Sequence, residues 1–144
     1  MEQDSLDDAR LEFAVLCDYY TVLQNGCYDL IGVGGNVFTA PFPRALAYLF
    51  VRVLVPYREL SSDLHHRLTI ALNDDDGPTI ADPSVSFTPT KNPNWPEGTA
   101  QVSDFIFDLR AIHFRREGIY TIKILWNDEE IGKITFRLRE PEGL

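Results

Sequence analysis

This chain has few of the residues that build metal, redox or disulfide sites. Its 144 residues include two cysteines, one methionine and three histidines. Cys17 and Cys27 do not have the CxxC spacing of a metal or redox site, and we expect both to occupy core-facing strand positions as small apolar residues. A disulfide between them would require export by a route that the sequence does not show.

Long apolar runs are also absent. The most apolar segment, residues 45–55, is shorter than the about 20 residues that a membrane-spanning helix requires, and Arg52 interrupts it. A secretory signal needs basic residues followed by an apolar run, but residues 1–8 carry Glu2, Asp4, Asp7 and Asp8. The sequence therefore predicts a cytoplasmic protein that does not bind membranes.

Positive charge is scarce. The chain has 13 Lys and Arg against 22 Asp and Glu, for a formal net charge of −9. Such an acidic surface repels phosphate groups, which argues against non-specific binding to nucleic acids or to anionic membranes. The charge favours solubility or a basic partner.

The histidines do not form the pattern of a metal site. His65 and His66 would point to opposite faces of a strand, and His113 would have to come from another strand. A dyad of Cys17 with His66 or His113 would form only if the fold happened to bring them together. No Gly-x-Ser-x-Gly is present. We predict neither a cofactor nor an enzymatic activity, and a small cysteine-dependent hydrolase remains an alternative.

A run of three acids, Asp74, Asp75 and Asp76, precedes Gly77. The EF-hand pattern fails here, because its first and twelfth positions would fall on Leu72 and Pro83. Aspartate and glycine suit a solvated turn, which is the simpler interpretation. Loop carboxylates can bind calcium without that motif, so a calcium- or small-ligand-sensing protein is a second alternative.

Apolar residues alternate with polar ones over much of the chain, and no helix of ordinary length is predicted. The clearest examples are residues 68–72, 120–126 and 134–138, where every second residue is apolar. This period of two predicts an all-β, antiparallel domain over residues 11–139, with about seven to nine strands. Residues 1–10 are expected to form an acidic flexible tail, and residues 140–144 a frayed end.

The segment that precedes the penultimate strand resembles the corner of an immunoglobulin-like sandwich. Glu117 and Gly118 come just before Tyr120, which begins an alternating run that ends at Trp126. In such a corner the tyrosine ring is buried and its hydroxyl bonds to the backbone a few residues upstream. We therefore predict an immunoglobulin-like β-sandwich in which Tyr120, Gly118 and Trp126 have structural roles.

Three aromatic residues and one apolar segment favour an interaction surface. Trp95 lies between Pro93 and Pro96 in a long irregular loop, where it could act as a stiff interface anchor or fold back as a plug over the core. Phe42, which is flanked by prolines, could likewise be an interface anchor or a plug. Tyr57, at the start of a polar loop, is a further candidate binding residue. Residues 46–55 are apolar on both faces, which predicts either a covered strand or a homodimer contact.

Five segments in order resemble a family of small, uncharacterised bacterial single-domain proteins with a predicted immunoglobulin-like sandwich. The likeness covers residues 11–139, and its segments are residues 29–33, 38–43, 66–70 with 75–77, 117–120 and 127–138. The resemblance implies a fold and a bacterial origin but no reaction. We therefore expect a non-enzymatic protein-binding or adaptor module whose partner is another protein, with self-association as one form of that binding.

Overall fold

The computed structural model describes residues 8–34, 37–39, 44–61, 63–75, 77–89 and 92–139. Regular structure in these residues consists of strands and one 3₁₀ turn at Tyr57–Glu59. The strands are β1 (Arg10–Cys17), β2 (Tyr19–Val22), β3 (Tyr28–Ile31), β4 (Val37–Thr39), β5 (Arg44–Ala45), β6 (Tyr48–Val55), β7 (His66–Asp74), β8 (Thr79–Ala81), β9 (Ser84–Phe87), β10 (Gln101–Asp108), β11 (His113–Phe114), β12 (Gly118–Trp126) and β13 (Glu129–Arg139).

The predicted all-β, antiparallel class is confirmed. One sheet has the order β1-β6-β10, and a larger one has the order β4-β13-β12-β7-β8, with β9 also paired to β7. The hairpin β2–β3 and the pair β5–β11 are separate. All these pairs are antiparallel except β4–β13, which is parallel. The described residues contain more strands than the seven to nine expected, because several pairings involve only two to four residues, too short to leave an alternating pattern.

The core lies between the inner faces of the two larger sheets. Alternate residues of β6, β7 and β12 point into it, as the period of two predicts. The residues of these three strands that are 0 or 1% exposed are Leu49, Val51, Val53, Val55, Leu68, Ile70, Leu72, Ile122 and Ile124. From β13, Phe136 and Leu138 complete the same core.

Tyr120 is a buried member of this core with a polar tip. Its ring is 2% exposed and packs against Phe114 and Phe136, with centroids 4.9 and 5.6 Å away. Its hydroxyl donates a hydrogen bond of 2.7 Å to the carbonyl oxygen of Arg116, four residues upstream. The ring therefore contributes apolar burial, while the hydroxyl fixes the turn that leads into β12.

Replacing Tyr120 by phenylalanine should lower the free energy of unfolding by about 1–2 kcal/mol, because the hydroxyl bond is lost and the Arg116 carbonyl loses its partner. Urea unfolding measures the change. Tyr19→Phe is the matched control, since Tyr19 is 53% exposed and should tolerate the same deletion with little change. Equal effects for the two variants would contradict this role of the hydroxyl.

The outer face of β6 is covered by the chain itself. Tyr20 and Tyr28 of the β2–β3 hairpin pack on Tyr48 and Phe50, with centroids 5.0 and 5.3 Å apart. Phe13 of β1 packs on Phe50 at 5.6 Å. Phe50 is only 2% exposed as a result. Residues 46–55 are thus apolar on both faces because one face packs in the core and the other is covered by residues of the same chain.

Several sequence expectations need adjustment. Cys17 is buried, but Cys27 is exposed, because it lies just outside the turn that joins β2 to β3 rather than on a core-facing strand position; both thiols are free. Strand β1 begins at Arg10, and Ala9 is already buried. Phe42, Asp76 and residues 1–7 and 140–144 lie outside the described residues. Among the described residues, none forms a helix with the length and apolar character that a membrane span requires.

Candidate functional site

The candidate site is an open groove at one end of the sheet β1-β6-β10. In that sheet Val55, the last residue of β6, pairs with Gln101, the first residue of β10. The segment that follows β6 and the loop that precedes β10 therefore lie side by side. Tyr57 comes from the first of these segments and Trp95 from the second, 38 positions later in the sequence.

Two consecutive β-turns shape the loop that carries Trp95. The amide of Trp95 donates to the carbonyl of Asn92 at 2.9 Å, which closes a turn with Pro93 at its second position. The amide of Thr99 donates to the carbonyl of Pro96 at 3.3 Å, and Gly98 supplies the positive φ of +81° that a type II turn requires at its third position.

Side-chain hydrogen bonds hold the same loop in place. Asn92 Oδ1 accepts from the amide of Asn94 at 2.9 Å, and the Asn92 amide donates to Gln101 Oε1 at 3.0 Å. The indole Nε1–H of Trp95 donates to the carbonyl of Ala100 at 2.8 Å. Because these bonds and two prolines restrict the backbone, little conformational entropy remains to be lost when a ligand binds the loop.

The Trp95 side chain is fixed at its nitrogen and open on its ring. It is 44% exposed, so it is not a fully buried plug, and it is not a member of the core cluster. A large apolar side chain with this exposure indicates a binding site when it lines a concave surface. The indole forms one wall of the groove.

Tyr57 and Glu97 contribute the polar part of the groove. Tyr57 lies in the 3₁₀ turn after Pro56, is half-buried against the core, and places its hydroxyl 3.5 Å from Glu97 Oε1. Leu60, which is buried, closes this turn: its amide N–H donates a hydrogen bond of 3.0 Å to the Tyr57 carbonyl. An exposed carboxylate thus stands beside an aromatic ring at the groove.

The groove has a volume of about 310 Å³, within the range of ligand-binding clefts. Its lining residues are Tyr57, Leu60, Asn92, Pro93, Trp95, Pro96, Glu97, Thr99 and Gln101. Four residues singled out in the sequence, Tyr57, Pro93, Trp95 and Pro96, therefore line one groove. Sequence reasoning missed Glu97 and Gln101, because nothing in the chain order places them beside Tyr57.

A second cavity lies near the start of β12 and has a different character. It measures about 430 Å³ and is lined by Asp75, Glu117, Gly118, Ile119, Arg137 and Leu138. None of these described lining residues is aromatic. The neighbouring Asp74 carboxylate is engaged by the guanidinium of Arg116, and no cluster of three metal-ligating side chains occurs among the described residues.

The surroundings of Cys17 do not favour a nucleophile. Burial of the thiol, with a smaller contribution from the Asp18 charge, raises its pKa, which disfavours the reactive thiolate. His66 is occupied elsewhere: its Nε2–H donates to the Glu59 carbonyl and its Nδ1 accepts from Asn127 Nδ2, both at 3.0 Å. His113 is exposed on β11.

A buried polar cluster lies next to the groove. The indole of Trp126 stacks on His66, with centroids 4.8 Å apart, and its Nε1–H donates to Glu59 Oε1 at 3.0 Å. Glu59 belongs to the same 3₁₀ turn as Tyr57. These bonds tie the turn that carries Tyr57 to the far sheet, so one wall of the groove is anchored in the core.

Comparison with known proteins adds a family but no activity. A family model described as a family of unknown function (DUF6941) matches residues 12–139, which confirms the expected likeness to an uncharacterised family. No match is found among curated proteins.

Among solved structures, the chain is similar to the alkylpurine DNA glycosylase AlkC of Pseudomonas fluorescens, bound to DNA containing an abasic site analog. The identity is 13% and the TM-score is 0.42. The likeness covers 72% of this chain and 28% of that one. A TM-score this low supports no conclusion about this chain.

Proposed function

This chain belongs to the DUF6941 family, and from that premise we propose that it is a non-enzymatic protein-binding module. Its binding site is the groove between Tyr57 and Trp95, which holds a segment of a partner protein. Because the family has no known function, the proposal rests on the groove alone. The observation that carries it is the half-exposed indole of Trp95, held on a loop with two closed turns.

Tryptophan and tyrosine are enriched among the residues that contribute most to protein interfaces. They do so because a large rigid ring buries much surface and loses little entropy. In this groove the two rings stand beside polar groups from Asn92, Glu97 and Gln101. Such a mixture of an apolar wall and a polar rim suits a peptide segment, whose backbone needs hydrogen-bonding partners.

We also propose that the scaffold is an immunoglobulin-like sandwich. The support is the buried Tyr120 with its hydroxyl bonded four residues upstream, together with two sheets that share one core. In sandwiches of this type, binding residues are commonly carried by the loops at one end of the sheets. The groove occupies such a position, beyond the end of β6 and the start of β10.

Trp95→Ala tests this function. Affinity purification from the native host, with the wild type and the variant as parallel baits, should recover a partner that the variant captures at least about ten-fold less, because an interface anchor is lost. Binding of the purified partner is then measured by calorimetry. The melting temperature should fall by only a few degrees, since the ring is half exposed.

Ile119→Ala is the matched control. Ile119 is 47% exposed and lines the other cavity, so its loss should leave partner capture unchanged. Equal capture by the wild type and Trp95→Ala would reject the groove as the binding site. A fall in melting temperature of more than about 10 °C for Trp95→Ala would instead indicate a mainly structural role.

A further inference from the structure

The outer face of the larger sheet carries positive charge, although the protein as a whole is acidic. The buried residues of β12 and β13 alternate with residues that point away from the core. Among these outward residues, Lys123 of β12 and Lys133, Thr135 and Arg137 of β13 are all exposed. This part of the sheet is therefore open to solvent, and three of these four side chains are cations.

Lys123 and Lys133 lie directly opposite each other in the pairing of β12 with β13. The Cβ atoms of such cross-strand neighbours are about 5 Å apart, where opposite charges stabilise a sheet and like charges destabilise it. The chain has 22 Asp and Glu against 13 Lys and Arg, so acids are the more abundant charged residues. Two ammonium groups nevertheless face each other here, and a carboxylate from outside the chain can neutralise them.

The cations of this face have no carboxylate partners of their own. Within the part of the chain that the structure describes, none of Lys123, Lys133 and Arg137 takes part in an ion pair. Asp75 and Glu117 line the cavity that adjoins Arg137, and the turn between β12 and β13 places further acids at the other end. Between these two ends, the described outward positions of β7, β12 and β13 include no acid.

The residues around the cations are small and neutral. Thr121 pairs with Thr135 on one side and with Asn73 on the other, and Lys123 pairs with Ala71. These short side chains leave a shallow surface on which another chain can approach the sheet, and the threonine hydroxyls can donate or accept hydrogen bonds. None of these described residues is aromatic, so the centre of the face lacks the stacking surface that single-stranded nucleic acids use.

We propose that this face binds an extended, acidic segment of a partner protein. Lys133 and Arg137 are four residues apart on one strand, so their Cα atoms are separated by about 13 Å. An extended segment has the same rise per residue, so acids at its positions i and i+4 match these two cations. One of the two carboxylates then lies over the pair of Lys123 and Lys133.

This interaction surface goes beyond the proposed function, because it shares no residue with the groove between Tyr57 and Trp95. Charge favours a short acidic segment over larger anions. The net charge of −9 repels a long polyanion and also a second copy of the chain. A short segment that contacts only this face meets three cations instead, so local charge complementarity outweighs the repulsion from the rest of the molecule.

The test uses the synthetic peptide acetyl-Glu-Thr-Glu-Thr-Glu-Thr-Glu-amide, whose acids all lie on one side when it is extended. The control peptide has glutamine in place of glutamate. Both are titrated at low salt into the full ¹⁵N-labelled chain and followed at the backbone amides of Lys123, Lys133 and Thr135. The glutamine peptide should bind at least about ten-fold more weakly, because charge-assisted contacts are lost. Raising the salt concentration should reduce this difference.

The double variant Lys123→Gln with Lys133→Gln examines the protein side of the same contact. It should weaken binding of the glutamate peptide by about ten-fold, since each exposed ion pair contributes about two- to five-fold. Arg58→Gln with Arg110→Gln is the matched control. It removes the same charge from side chains that are 60 and 63% exposed and lie outside this face. The control should change the affinity by less than about two-fold.

Lys133→Glu distinguishes binding from a purely structural or solubilising role. The substitution replaces the like-charged pair with an opposite-charged one, so the melting temperature should rise by about 1–4 °C. The glutamate peptide should bind at least about ten-fold more weakly to the same variant. If the variant binds this peptide as tightly as the wild type does, the proposal fails.

Three other outcomes also overturn the proposal. The first is equal binding of the two peptides, or no shift at any of the three amides. The second is tighter binding of single-stranded oligothymidylate than of the glutamate peptide, which would assign the face to phosphate groups. The third is a wild-type dimer that dissociates in the double lysine variant, which would assign the face to a second copy. Trp95→Ala should leave glutamate-peptide binding unchanged, so the groove and this face are tested separately.

Discussion

Replacing Trp126 by alanine is expected to lower the free energy of unfolding by about 3–5 kcal/mol, the usual cost of truncating a buried aromatic ring. The ring is 5% exposed and packs against His66 and Phe87, with centroids 4.8 and 5.3 Å away. The substitution also leaves Glu59 without the indole donor at 3.0 Å. Guanidinium unfolding, followed by circular dichroism, measures the change.

Trp95→Ala provides the matched comparison, because the same side chain is removed from a half-exposed position. We expect the free energy of unfolding to fall by about 1 kcal/mol, mainly because the hydrogen bond from the indole N–H to the Ala100 carbonyl is lost. Trp126→Ala should thus mainly lower the stability of the protein, whereas Trp95→Ala should mainly weaken partner binding. Similar losses at both positions would mean that Trp95 acts as part of the core, contrary to the proposed binding role.

Phe50→Ala should also destabilise the protein strongly, by about 3–5 kcal/mol. Its ring is 2% exposed beneath Phe13 and Tyr28, so its removal leaves a cavity within one chain. We expect the wild-type melting temperature to be independent of protein concentration, because this cover is intramolecular. Phe13→Ala is the control, and its effect should be smaller since Phe13 is 41% exposed.

Sedimentation of the wild type and Phe50→Ala tests the alternative that this strand mediates self-association. A wild-type dimer that dissociates in the variant, with a melting temperature that rises with protein concentration, would restore the homodimer hypothesis. A monomer in both cases would assign the apolar outer face of β6 to the β2–β3 hairpin. The distinction matters because the same sequence pattern predicts both arrangements.

The strand pattern of the long elements was predictable because it depends on local alternation. In β12, Tyr120, Ile122, Ile124 and Trp126 are all buried, while the residues between them are half-buried or exposed. The turn at Asn127 and Asp128, where both φ angles are positive, also follows from residue type. The short strands β5 and β11 were not predictable, because two residues cannot show a period.

The candidate site was only partly predictable for a related reason. Trp95 with its flanking prolines stands out within a few residues of sequence, and so it could be singled out. Tyr57 was also singled out, but its position opposite Trp95 could not be predicted and Glu97 was missed, because Tyr57 meets Glu97 only through the pairing of β6 with β10. Phe42 lies outside the described residues, so its predicted role stays a prediction.

Local chemistry in the sequence determined the long strands, the turns between them and the overall acidic charge, since each depends on residues that are close along the chain or on composition alone. The tertiary structure decided which segments became neighbours. It covered the outer face of β6 with Tyr20 and Tyr28, and it placed Glu97 beside Tyr57. These contacts depend on long-range sheet pairing, which alternation permits but does not specify.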